Sequence, residues 1–542
     1  MTLAGFLLAS TLALPLLMVV AAMWSSVRVK LLALLPIAPL PALVTAIFAP
    51  GGSLALAPAP LRLTLALDDP GAMLLGGAGL LWCAAGFYAS TYMCKSADRS
   101  AFAIWWLLTL TGSLGVFIVA DMTSFYLAFG LASLSAYGLV AYEGTPAARR
   151  ASTIYMVLAL LGEAFLLLAF VMLAAGNPGG NPMIRDAVAL LPSSQWCGPI
   201  IVLLILGFGL KMGLVPLHVW MPLAHPVAPM PASAALSGII VKAGVIGLIR
   251  FLPLDTALPF WGMVLMALGL FTAFYAVLIG LTQQHPKVVL AYSTVSQMGV
   301  VGGVLGAGLM AGAPGTAVLA AFYALHHMLV KGALFLGVGI VANTGRRHAG
   351  LVMAAMALLA LSLAGLPFTS GMLAKLAVKD LFGDGLAALL ATLSATGSTL
   401  LMLHFLRRLS TLTAKGDERT ESGLLWPWAA IAAASLIVVW TLFPLVSGYP
   451  LAAIFEPKAL WVASWPMLLG AALAYALRGY TERLPRIPEG DTVVLAEALL
   501  PRLQRLLNRL DRLDELLRQW PVAGLLLLVI TIALGAALQL GQ

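Results

Sequence analysis

The chain has 542 residues, 61% of them hydrophobic and only 9% charged, with a formal net charge of +9 and a mean hydropathy of +1.01. Soluble domains carry about 25% charged residues, so this composition excludes a sizeable soluble domain and specifies an all-α polytopic membrane protein. The positive residues cluster in short loops, which membrane orientation explains without nucleic acid, and three scattered cysteines (Cys83, Cys94, Cys197) argue against a zinc site, an iron–sulfur cluster or a disulfide framework.

Apolar runs of about 20 residues fall at 2–24, 30–49, 71–92, 101–120, 122–142, 151–174, 198–220, 228–252, 258–281, 286–310, 315–341, 349–383, 386–406, 424–446, 459–477 and 521–541. They predict 14 to 16 transmembrane helices. The first run lacks a basic leader and is followed by many others, so it reads as a retained span. The run at 349–383 is too long for one straight span and is interrupted by Gly365-Leu366-Pro367; the seventh run is interrupted at Pro216. Helices broken at membrane depth need protein or water around the freed backbone, so they tend to line a pathway.

Loop charges order these spans. Arg28/Lys30, Lys95/Arg99, Arg149/Arg150, His285/Lys287, Arg346/Arg347 and Arg407/Arg408 all follow odd-numbered spans. The positive-inside rule puts those loops in the cytoplasm and both termini on the other side, with a bacterial inner (cytoplasmic) membrane as the expected location. Residues 478–520 are the one strongly polar stretch. Leu503, Leu506, Leu507, Leu510, Leu513, Leu516 and Leu517 recur at helical spacing opposite Arg502, Arg505, Arg509, Arg512 and Arg518, which predicts an amphipathic helix at 494–519. It suits a membrane surface and a partner subunit equally.

The expected organisation is peripheral helices at 1–100, a first five-helix repeat at 101–252, a second at 258–412, and C-terminal helices at 424–542. Five spans per unit is odd, so the second unit would be inverted in the membrane.

Ionisable residues lie deep inside several of these runs. An ammonium at the bilayer centre costs roughly 2.5–3.5 kcal/mol on insertion scales. Lys211 is 13 residues into its run, roughly 20 Å along a helix axis, where snorkelling to an interface is strained. Lys242 has about ten residues of apolar helix on each side. His327 and Lys331 are four apart on one helix face, with His326 on another, and two proton-binding groups within reach make a relay step. Lys375 follows the second break, while Lys379 and Asp380 mark a helix end and His404 an interface. Glu163, the sole carboxylate inside spans 5 and 6, reads equally as a partner of Lys211 or as a protonated glutamic acid in the bundle. The segment Pro216-Leu217-His218-Val219-Trp220-Met221-Pro222-Leu223-Ala224-His225-Pro226 reads equally as a structured re-entrant loop or as proton access through His218 and His225. Lysine suits such work because an amine that holds its proton to about pH 10.4 in water gives it up more readily when desolvated and less readily beside a carboxylate.

At these residues the chain resembles the antiporter-like membrane subunits of respiratory complex I, Mrp-type sodium/proton antiporters and group-4 membrane-bound hydrogenases. The segment from Pro216 to Pro229 continuing to Lys242, Ala291-Tyr292-Ser293-Thr294-Val295-Ser296-Gln297-Met298-Gly299, and His327-Met328-Leu329-Val330-Lys331-Gly332-Ala333-Leu334-Phe335 carry the resemblance, which covers most of residues 100–410. It looks closest to the hydrogenase and Mrp branches. The resemblance implies two inverted five-helix repeats with broken helices 7 and 12. It also implies a polar mid-membrane axis in which Lys211, Lys242, His327 with Lys331, and Lys375 match the family's titratable positions. One departure stands out: Gly130 occupies the place of the family's helix-5 glutamate, so Glu163 substitutes for it or coupling through the first half is altered.

The function these features imply is proton conduction within a multisubunit complex, Na⁺/H⁺ exchange included. Other membrane subunits would be partners, and a soluble redox or uptake partner would supply or use the driving force; the chain shows no cofactor-binding motif. The alternatives are an energising subunit for inorganic-carbon uptake and a structural subunit that has lost transport.

Overall fold

The computed structural model describes residues 2–55, 63–176, 183–345, 348–412, 420–479, 485–494 and 497. The chain divides into two units, Met1–Glu489 and Gly490–Gln542, and all the helices below belong to the first. Apart from residues 494 and 497, the expected amphipathic helix and the last apolar run lie outside the described residues, as does the Arg346/Arg347 pair.

The membrane helices follow in order: α1 (Leu3–Ala21), α2 (Leu31–Phe48), α3 (Asp69–Tyr92), α4 (Arg99–Ile118), α5 (Met122–Ala141), α6 (Pro146–Ala175), α7 (Cys197–Met212) with the short α8 (Trp220–Val227), α9 (Met230–Phe251), α10 (Pro259–Gly280), α11 (Pro286–Ala311), α12 (Thr316–Ala342), α13 (Ala349–Ala364) with α14 (Ser370–Val378), α15 (Leu386–Leu412), α16 (Ser422–Ser447) and α17 (Pro457–Leu477). Thirteen are long and apolar enough to cross a membrane among the described residues; α7 and α13 are shorter, and each is continued after an interruption by α8 or α14. The one described sheet is a hairpin of β1 (Ser53–Ala55) and β2 (Thr64–Ala66). Helix starts are set by local chemistry: Asp68, Asp121 and Thr145 accept from the backbone N–H of Gly71, Ser124 and Ala148.

Both interruptions are built the same way. At the end of α7, Gly213 adopts φ 82°, its N–H bonds Leu210 O, and the Leu214 N–H reaches back to Gly209 O. At the end of α13, Gly365 adopts φ 108°, its N–H bonds Ser362 O, and the Leu366 N–H reaches back to Leu361 O. This is the Schellman termination, which needs a residue free to enter the left-handed region. A proline follows within three residues each time and prevents the helix from resuming in line. Each interruption falls in the fourth crossing of a run of five, α4 to α9 and α10 to α15.

Hydrogen bonds between loops test the ordering of the spans. On the face of the basic loops, Ser96 pairs with Tyr142, Thr344 with Thr420, and Gln283 with both His404 and Ile487 O. On the opposite face, Ala120 N–H bonds Thr64 O, Ile184 N–H bonds Ala120 O, Leu258 N–H bonds Leu309 O, and Tyr449 donates to Asp380. Each of these bonds joins loops of the same parity, as the alternation of basic loops requires. His404 is buried at this edge, against Gln283 O at 2.7 Å.

Helices α9, α11 and α12 are enclosed by the others over their central apolar stretches, whereas the corresponding stretches of α1, α16 and α17 are mostly uncovered. Small residues let the central helices approach: a Cβ at Gly269 of α10 would lie 2.4 Å from Gly303 N of α11. On the face away from the basic loops, Arg250 ends α9 and turns its guanidinium onto the end of α4, donating to Val116, Phe117 and Val119 carbonyls at 2.6–3.0 Å while pairing with Asp68. These carbonyls are ones that a helix C-terminus leaves unpaired. Charge-assisted bonds to them should outweigh the half-exposed ion pair. Arg250→Ala is therefore expected to destabilise the protein by about 2–4 kcal/mol, and Asp68→Asn by less than about 1 kcal/mol. Thermal unfolding of the solubilised variants measures both, and equal losses would contradict this division.

Candidate functional site

Three of the mid-membrane lysines are enclosed, whereas Lys375 is partly exposed. Lys211 is 3% exposed and Lys242 and Lys331 are 0% exposed, which removes snorkelling as an account of them.

Lys211 lies two residues before the first interruption. Its Nζ donates to Ser133 Oγ on α5 at 2.9 Å and to Tyr155 Oη on α6 at 3.2 Å. It also stands 5.6 and 5.5 Å from the ring centres of Phe129 and Tyr155, within cation–π range. The Tyr155 hydroxyl itself donates to Ser133 O. Helices α6 and α7 approach where Gly162 faces Gly207, which brings the next residue, Glu163, into the layer of Lys211. The Glu163 carboxylate is buried and faces Ser133, the hydroxyl that Lys211 bonds, so carboxylate and ammonium share a neighbour. It also reaches α5. A Cβ added at Gly130 would lie 3.8 and 4.0 Å from the two Glu163 oxygens, with no other atom within 4 Å.

Lys242 follows a π-helical turn at Leu236–Ile240 within α9. Such turns loosen the carbonyl ladder and are frequent at functional sites. Its Nζ bonds Ser237 O at 3.1 Å and His327 Nδ1 at 2.5 Å. A charged ammonium only donates, so His327 Nδ1 is then the acceptor and the neutral ring carries its proton on Nε2. His327 and Lys331 share a face of α12, as their spacing predicts, but they contact different neighbours: Lys331 Nζ donates to Leu290 O of α11 at 2.9 Å.

His326 points the other way around α12. Its Nδ1 lies 3.1 Å from Ser370 Oγ at the start of α14, and Ser370 lies 3.1 Å from Ser362 Oγ. Lys375, one turn further along α14, donates to Ala364 O at 2.7 Å, the last carbonyl of α13. A cavity of about 380 Å³ connects Lys375 and Tyr323 with Lys379, Asp380, Asp384 and Lys458 at the face away from the basic loops. Lys379 and Asp380 sit in the closing turn of α14, as expected of a helix end.

The segment from Pro216 to Pro226 forms a turn and then α8, with His218 and His225 both fully buried. His218 packs against Tyr275 and Tyr292, and His225 stacks on Phe335 at 4.6 Å. Several groups in this layer have no signature in sequence. Ser133, Tyr155, Ser362 and Ser370 are single hydroxyls in apolar helices, and a buried bridge runs from Tyr323 through Gln297 to Ser398. Lys287 is legible in sequence only as a loop charge, yet it is 3% exposed.

Residues 119–402 match the family model described as NADH:quinone oxidoreductase/Mrp antiporter, TM, which is more than half of the chain. The chain belongs to this family. Hydrogenase-4 component B of Escherichia coli (strain K12) is 32% identical over 308 residues, 54% of this chain and 46% of that protein. The chain thus matches less than half the length of that relative. A Na(+)/H(+) antiporter subunit of Bacillus subtilis (strain 168) is 28% identical over 404 residues, 70% of this chain and 80% of that one. The fold is that of a chain in the Mrp complex from Dietzia sp. DQ12-45-1b, with a TM-score of 0.77 at 21% identity, covering 100% of this chain and 63% of the other. It also matches a chain of the membrane-bound sulfane sulfur reductase, an archaeal respiratory membrane complex, with a TM-score of 0.66 at 20% identity, covering 87% and 99%.

Proposed function

We propose that the chain is a proton-conducting subunit of a multisubunit membrane complex, in which Lys211, Lys242, His327, Lys331, His326 and Lys375 pass protons along the middle of the membrane, within two inverted five-helix units. The observation that carries the reading is the 2.5 Å contact between Lys242 and His327, an amine and an imidazole meeting far from both faces. A structural role does not call for such a pair, because an apolar residue would fill the space without the burial cost of a charge. From His327 the adjacent His326 leads through Ser370 toward Lys375, and the cavity beside Lys375 gives this end of the row access to the face away from the basic loops. The parent complex would supply the driving reaction, as suits relatives named as hydrogenase and antiporter subunits.

Lys242→Ala in an assembled complex is expected to lower proton flux into membrane vesicles at least tenfold. Unchanged flux in a complex of full size would support the structural reading instead.

Glu163 supports the same reading from the first half. Its carboxylate lies against Gly130, so the family's acidic group is supplied here from α6 rather than α5. Glu163→Ala is expected to impair flux, and Gly130→Glu combined with Glu163→Ala to restore much of it, because the open space at Gly130 admits a side chain. A double variant no better than Glu163→Ala, in a complex that assembles, would show that Gly130 is not an equivalent position.

A further inference from the structure

The π-helical turn of α9 is packed closely against two neighbours. Gly238 brings it onto α12: a Cβ there would lie 3.3 Å from the carbonyl oxygen of Met328, the residue after His327, and would collide with Leu81 of α3. Ser237 brings it onto α11. Its Oγ lies 2.7 Å from Thr294 Oγ1, and both residues are fully buried. The carbonyl of the same Ser237 accepts from Lys242 Nζ at 3.1 Å. Ser237 therefore meets Lys242 with its backbone and α11 with its side chain.

The direction of these bonds follows from the groups involved. Thr294 Oγ1 lies 3.1 Å from Leu290 O, one turn back along α11, and a carbonyl only accepts. Thr294 therefore donates to Leu290, which leaves its oxygen a lone pair, and the Ser237 hydroxyl donates to that. Leu290 O is also the oxygen that Lys331 Nζ bonds at 2.9 Å. One row of hydrogen bonds thus runs from the Ser237 hydroxyl through Thr294 to the carbonyl that holds Lys331, while the Ser237 carbonyl holds Lys242. A threonine in mid-helix commonly bonds a carbonyl of its own preceding turn and serves only its own helix. Thr294 also receives a hydroxyl from α9, which makes it a cross-link between the two helices that hold these amines.

We infer that Ser237 and Thr294 are positioning residues of the Lys242–His327 step, an inference that rests on the relay reading above. The hydroxyl pair pins the π-helical turn to α11, so that Ser237 O faces the Lys242 amine and holds it at His327 Nδ1. Neither hydroxyl passes a proton on: that of Thr294 is committed to Leu290 O and that of Ser237 to Thr294. They act by orientation. Through Leu290 O the same pin bears on Lys331, so the two amines keep one register although they sit on different helices.

The test compares Thr294→Val and Thr294→Ser in the assembled complex. Valine keeps the shape and removes the hydroxyl; serine removes the methyl group and keeps the hydroxyl. Thr294→Val is expected to lower proton flux in vesicles about fivefold, the weight of one hydrogen bond. Thr294→Ser is expected to stay close to wild type, with both complexes of full size in gel filtration. A packing role gives the reverse order, because valine fills the space and serine leaves a gap. Wild-type flux in Thr294→Val, or equal loss in the two variants, would overturn the inference. If Thr294→Val prevents assembly, Ser237→Ala decides alone: it removes the other hydroxyl, so reduced flux in a full-size complex supports the pin and wild-type flux overturns it. Lys242→Ala separates the two levels. Loss there with normal flux in Thr294→Val sinks only the positioning role, whereas normal flux in both sinks the relay itself.

Discussion

The structure depends on finding oxygen for ammonium groups buried at membrane depth. A regular α-helix commits its carbonyls to its own N–H groups and has little to offer. Three lysines here are served by backbone oxygen at places where a helix is irregular. Lys375 bonds the last carbonyl of α13 and Lys242 a carbonyl of the π-helical turn in α9, while Lys287, at the edge of the basic loops, takes the carbonyls ending α8. Lys211 stands at the fourth irregularity, the end of α7, and takes side-chain hydroxyls instead. At these four the helix irregularity and the amine go together; Lys331, which bonds Leu290 O within the unbroken α11, is the exception.

That arrangement also suits transfer. A carbonyl stabilises an ammonium but does not neutralise it, as a close carboxylate would, so the proton stays exchangeable. Among the described residues only Glu163 brings a carboxylate into the layer, within electrostatic range of Lys211. A rearrangement of the junctions between α7 and α8, or between α13 and α14, would change which oxygens Lys211 and Lys375 meet.

Much of this was legible in the sequence, for reasons that differ by element. The spans within the described residues followed from hydropathy, and the loop-to-loop hydrogen bonds agree with the loop charges on which loops share a face. Pro216 and Gly365-Leu366-Pro367 announced the two interruptions, because a proline prevents a helix from continuing in line, while the left-handed turn at Gly213 came from the structure. Lys211, Lys242 and Lys331 stood out because an ammonium in an apolar run is rare. What spacing did not reveal is which neighbour each group meets. His327 and Lys331 looked like one pair, yet His327 meets Lys242 from α9. Lys287 looked like loop charge, since its burial depends on α8 folding back over it. The placing of Glu163 against Gly130 is a fact of helix packing between α5, α6 and α7, which no single segment encodes.

Among the described residues no direct hydrogen bond links Lys211 to Lys242, so conduction along the row requires water between them. The most direct measurement is a density map of the assembled complex at a resolution that shows ordered water. The account predicts unbroken water density, with neighbouring oxygens about 2.7–3.2 Å apart, joining the amines of Lys211, Lys242, Lys331 and Lys375. Tightly packed hydrocarbon separating these four nitrogens, with no water between them, would contradict it.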